Sequence, residues 1–148
     1  MLNQLWPVII ASLSPISELR GGIPIGVGLG LPFETVFITA VVANCLVFFG
    51  VFLGLEILYK GFFHRFKVIR NLLENIRKRG EKKVKRYGIW SLFAFVAVPL
   101  PITGAWTGTA LAWIFKLEWK RSFAVICAGV LTAGIIVSLF VLGILALV

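Results

Sequence analysis

The chain has 148 residues, 59% apolar and 14% charged, with a mean hydropathy of +1.00, which is one domain's length and too apolar for a soluble globule. All six acidic residues are glutamate, the only histidine is His64 and the cysteines are Cys45 and Cys127. A Cys/His zinc cluster, a Ser-His-Asp triad and an Asp-rich calcium loop therefore lack their ligands, and the reading is an integral membrane protein with no enzyme chemistry, metal or cofactor.

The first region, residues 1–34, is interrupted. Residues 5–17 and 22–33 would each reach only about 18–20 Å as helix, short of a hydrocarbon core of ~30 Å. Between them lies the polar break Glu18-Leu-Arg20-Gly21-Gly22, followed by Pro24. Glycine and proline there can turn the chain back, which makes the region a re-entrant hairpin; a kinked continuous helix is the alternative. The first cation, Arg20, follows the first apolar run, so that run is read as part of the mature protein and not as a removable signal.

Residues 35–59 are uncharged until Glu56 and long enough to cross a bilayer. Residues 60–88 form a basic connector. From Gly61 onward, Phe62, Phe63, Phe66, Ile69, Leu72, Leu73 and Ile76 recur at helical spacing, with Arg65, Lys67, Arg70, Glu74, Arg77 and Lys78 largely on other faces. That pattern predicts an amphipathic helix on the inner leaflet, ended by Gly80, with the cluster around Lys82, Lys83, Lys85 and Arg86 at anionic headgroups.

Residues 89–115 repeat the interrupted pattern, divided by Pro99, Pro101, Thr103 and Gly104, and residues 122–148 form a second uncharged span. A second hairpin puts fourteen of the fifteen cations on one face, which the positive-inside rule makes the cytoplasm. Concentration of the +9 formal charge there marks a topology determinant, not a nucleic-acid surface. The expected fold is an all-α membrane protein of two inverted repeats, each a re-entrant hairpin followed by one transmembrane helix. A basic amphipathic cytoplasmic helix joins them, in a single domain of the plasma membrane.

Glu18 and Arg20 are the first candidates for function, because ionisable groups at membrane depth usually face a cavity, a partner or a pathway. Arg20 offers a planar fork for phosphate or carboxylate, and Glu18 is placed to exchange a proton. Gly21, Gly22 and Pro24 complete the first break. Opposite them stand Pro99, Pro101, Thr103, Gly104, Trp106, Thr107 and Gly108, where a half-helix starting near Thr103 would turn its positive end toward an anion. Helix packing is the alternative for the glycines. Asn44 is read as bonding across helices, the cysteines as packing residues, and Trp90, Trp113 and Trp119 as interfacial anchors.

The pair Ser17-Glu-Leu-Arg-Gly-Gly-Ile-Pro24 and Pro99-Leu-Pro-Ile-Thr-Gly-Ala-Trp-Thr-Gly108 resembles the putative small multi-drug export protein family over nearly the whole chain. That family is similar to the wider DedA, or SNARE-associated and VTT, membrane proteins, which are implicated in moving lipids, including undecaprenyl phosphate. The resemblance implies that Glu18 takes the place of the first hairpin's acidic residue, with Thr103 and Gly104 in the second. No arginine lies between Ile89 and Phe115, so Arg20 is the only cation at that depth. The leading expectation is a facilitative or proton-coupled transporter of an anionic lipid or amphiphile, self-associating as a homodimer among membrane lipids. A proton-coupled exporter of lipophilic cations and a non-transporting membrane scaffold are the rival readings.

Overall fold

The computed structural model describes residues 2–61, 66–99 and 103–147, with the backbone alone at 2, 81–87 and 145. Pro101, Phe62, Phe63 and Arg65 lie outside the described residues, as do the side chains of Lys82, Lys83, Lys85 and Arg86. All regular structure among the described residues is helical, in the order α1 (Leu2–Leu13), α2 (Glu18–Gly28), α3 (Phe33–Gly61), α4 (Lys67–Tyr87), α5 (Trp90–Ala97), α6 (Ala105–Ile114) and α7 (Trp119–Leu147).

One sequence of elements occurs twice: short helix, break, short helix, left-handed turn, long helix. The turns are alike in their hydrogen bonds. After α2, Gly30 N–H reaches Val27 O at 2.9 Å and Leu31 N–H reaches Gly26 O at 3.2 Å. After α6, Lys116 N–H reaches Trp113 O at 3.1 Å and Leu117 N–H reaches Ala112 O at 3.0 Å. Both are Schellman closures with a left-handed residue, Gly30 (φ +72°) in one and Lys116 (φ +52°) in the other. The long helices that follow, α3 and α7, are each 29 residues.

Helices α3 and α7 follow the two stretches read as spans, the second as far as Leu147, and extend each by a few residues at its N-terminal end. Both are long and apolar enough to cross a bilayer. Their surfaces also suit lipid. Along α3, Ile38, Val42, Leu46, Phe49, Leu53 and Ile57 form an exposed stripe at helical spacing, and Ile57 is 69% exposed. A water-soluble fold would not leave such a stripe unburied over its full length. The opposite faces make the core, where Val36, Ala40, Val47 and Phe48 meet Ile23, Val96, Ile126 and Val130. Phe123 of α7 packs its ring 5.3 Å from Phe48 and 4.9 Å from Phe49. Cys45 and Cys127 are free thiols facing each other across the same α3–α7 seam.

Two expectations need correction. The first break falls at residues 14–17, ahead of Glu18, and the Glu18-to-Gly22 segment is helical. Gly21 and Gly22 are there for close packing: a Cβ on Gly21 would strike Ser17 and one on Gly22 would strike Ser12 Oγ of α1. Helix α2 seats this face on α1. Gly80, read as the end of the connector helix, lies inside α4, because the Phe115 ring rests where its side chain would be. α4 carries Leu72 and Ile76 on an exposed face, as the amphipathic pattern requires.

Candidate functional site

Helix breaks inside a protein leave backbone groups that need partners, four amides at each N-terminus and four carbonyls at each C-terminus. Here the two breaks supply partners for each other. The Glu18 carboxylate, only 7% exposed, reaches across to the N-terminus of α6, where Oε1 accepts from Trp106 N–H at 3.3 Å and the Ala105 amide also donates. Arg20 Nη2 donates to Thr103 O, to Thr103 Oγ1 at 3.2 Å and to Val98 O at 3.5 Å. Thr103 Oγ1 in turn donates to Val98 O at 2.6 Å, so the C-terminal end of α5 is closed twice. In the other direction, Trp106 Nε1 donates to Leu13 O at 3.1 Å, at the last residue of α1.

Local backbone serves this arrangement. Glu18 has φ +49°, a left-handed conformation uncommon for a residue with a long side chain. Its turn is tied back by Ser17 Oγ, which donates to Ala11 O at 2.7 Å. Gly104 accepts the carboxylate because it has no Cβ; an added methyl would occupy the position of the Glu18 carboxylate oxygens. Thr107 Oγ1 donates to Gly104 O at 3.5 Å, at the residue just ahead of its own helix.

The interlock leaves a cavity of about 170 Å³ lined by Pro15, Ile16, Glu18, Arg20, Thr103, Trp106 and Thr107. Beside it runs an apolar groove of about 490 Å³ along α3, lined by Gly50, Val51, Gly54, Leu55 and Leu58. Pro15, Trp106 and Thr107 belong to both walls.

Of the residues singled out in the sequence, Glu18, Arg20, Thr103, Gly104, Trp106 and Thr107 come together here. Gly21 and Gly22 pack on the α1 side, Pro24 is exposed in α2, and Gly108 lies against Val96 and Ile126. Pro99 follows α5 at the break without lining the cavity. The sequence reading expected the free end of α6 to await an outside anion; the chain's own carboxylate already lies on it. Pro15, Ile16 and the groove glycines were missed. The spacing of Gly50 and Gly54, four apart in an apolar span, was the available signal. Asn44 is fully buried with no side-chain hydrogen bond, so the expected cross-helix bond is absent among the described residues.

A family model described as putative small multi-drug export protein matches residues 18–136, which takes in α2, α3, the connector and the second break. The chain belongs to this family. No curated protein and no solved structure matches it. As a member of the putative small multi-drug export protein family it is a membrane protein, all-helical in its described parts, with two candidate membrane-crossing helices. The matched stretch begins at Glu18 and contains every charged and hydroxyl side chain of the cavity.

Proposed function

We propose that this protein moves an anionic lipid or amphiphile across the membrane through the cavity between its two helix breaks. In this reading α1–α2 and α5–α6 are re-entrant hairpins of two inverted repeats, entering from opposite faces, with the basic connector on the cytoplasmic side of the plasma membrane. The observation that carries it is the wall shared by a polar cavity and an apolar groove. A headgroup would lie with Arg20 and Thr103 while its chain follows α3 past Gly50 and Gly54. An incoming phosphate or carboxylate competes with the Glu18 carboxylate for the α6 amides, and protonation of Glu18 weakens its hold there. Cargo binding and proton uptake are coupled at one set of donors.

The test is transport of a fluorescent short-chain anionic lipid in vesicles holding the purified protein. Glu18→Gln and Arg20→Ala abolish it while leaving a folded, monodisperse protein. Gly54→Leu, which adds bulk where nothing lies within 4 Å of the Cβ position, blocks the groove and slows long-chain cargo at least tenfold more than short. Normal transport by all three variants would sink the reading.

One observation favours a second cargo class. Glu18 is the only carboxylate lining the cavity among the described residues, Trp106 stands beside it, and together they suit a lipophilic cation. Binding of a quaternary ammonium dye that falls in acid and vanishes in Glu18→Gln would select the cation.

A further inference from the structure

A second cavity, of about 520 Å³, lies at the polar end of α3, away from the helix breaks. Among the described residues, three cations from separate parts of the chain line it: Lys60 at the end of α3, Arg77 in the middle of α4 and Lys116 in the turn after α6. Glu56 is the one carboxylate on this wall among the described residues, and it is already engaged. Its Oε1 holds Lys60 Nζ at 2.8 Å and its Oε2 accepts from Trp113 Nε1 at 2.8 Å. Trp113, read as an interfacial anchor, is 9% exposed and packs edge-on to Tyr59 at 5.4 Å.

The cations are held there by structure. Arg77 Nε donates to Ile114 O, at the negative end of α6, and no other hydrogen bond of this guanidinium occurs among the described residues. Lys116 takes the left-handed position that Gly30 takes in the matching turn, and it has no ion pair among the described residues. A lysine kept where glycine would be less strained points to a use for its charge. Arg77 and Lys116, neither ion-paired among the described residues, lie beside a neutralised Glu56–Lys60 pair and repel each other unless an anion joins them.

We infer that this cavity binds the phosphate of an anionic membrane lipid from the leaflet on the connector's side. Arginine supplies a planar pair of donors and the lysines point charge, which is how phosphate esters are held. The lipid source follows from place. The cavity closes the end of a candidate membrane-crossing helix, where Tyr and Trp belong at headgroup level, and the apolar groove of α3 reaches Leu58 just before it.

The test is calorimetric titration of the full chain, purified in a non-ionic detergent, with dioctanoyl phosphatidic acid, dioctanoyl phosphatidylcholine and inorganic phosphate. Phosphatidic acid binds saturably, and the other two at least tenfold more weakly. Lys60→Gln/Lys116→Gly weakens phosphatidic acid binding at least fivefold; the glycine also eases the turn, so folding is not at risk. The titrations are repeated in an Arg20→Ala background, which removes the anion anchor of the central cavity, so the binding that remains reports on this one. In that background, undiminished binding on adding Lys60→Gln/Lys116→Gly, or no binding left before adding it, would overturn the site. Inorganic phosphate binding as tightly as the lipid would overturn the lipid assignment.

Discussion

Glu18 combines a left-handed backbone with a carboxylate delivered to the first amides of another helix. Capping of this kind contributes about 1 kcal/mol, and more where water is excluded. Thermal unfolding in detergent should therefore rank wild type above Glu18→Gln, which keeps one acceptor oxygen, and Glu18→Gln above Glu18→Leu, which keeps none. Gly104→Ala puts a methyl in the carboxylate's place and is expected to cost about 1–3 kcal/mol, with the loss of transport accompanying it. Equal melting temperatures across these variants would contradict the cap. At this scale the sequence singled out Glu18 and Arg20 as candidates, and the structure brings both to the opposing helix ends. The sequence did not disclose their partners, since the opposing helix ends lie 78 to 88 positions away along the chain.

The connector helix shows what one-dimensional rules miss. Gly80 carries a helix terminator's signature, yet α4 runs through it because the Phe115 ring needs the space. Gly80→Ala improves intrinsic helix propensity by about 1 kcal/mol but collides with that ring. Limited proteolysis should then cut the α4 region several-fold faster; unchanged cleavage would show that the ring simply yields. The first break has the same lesson. Glycines in the sequence mark either a turn or a close neighbour; for Gly21 the neighbour was Ser17 of the break and for Gly22 it was α1, which only packing reveals. The long helices were legible because an apolar run of that length has few other uses, and their ends shifted by a few residues as helix ends do.

For the molecule as a whole, the repeat of an interrupted apolar region followed by a long helix was readable from proline, glycine and span length; the left-handed closures at Gly30 and Lys116 were not. Nor was the interlock, because no local pattern encodes which break meets which. α3 packs on α6 and α7, and α2 on α7, so the halves share one core. Residues 1–61 and 66–148, expressed as separate chains, should co-purify as a complex; failure to associate would mean the seam is weaker than its buried surface suggests. Cysteines introduced at Gly88 and Lys116 should both react with an impermeant reagent from the same side of the membrane. Labelling from opposite sides would remove the hairpin reading of α5–α6.

The crossed caps have a consequence for the idle protein. With the α6 amides under Glu18 and the α5 and α1 carbonyls under Arg20 and Trp106, the described helix ends at the two breaks are capped by the chain's own side chains and offer small ions little open dipole. A molecule built this way should stay electrically tight at rest, and conduct only when a visitor trades places with the stopper.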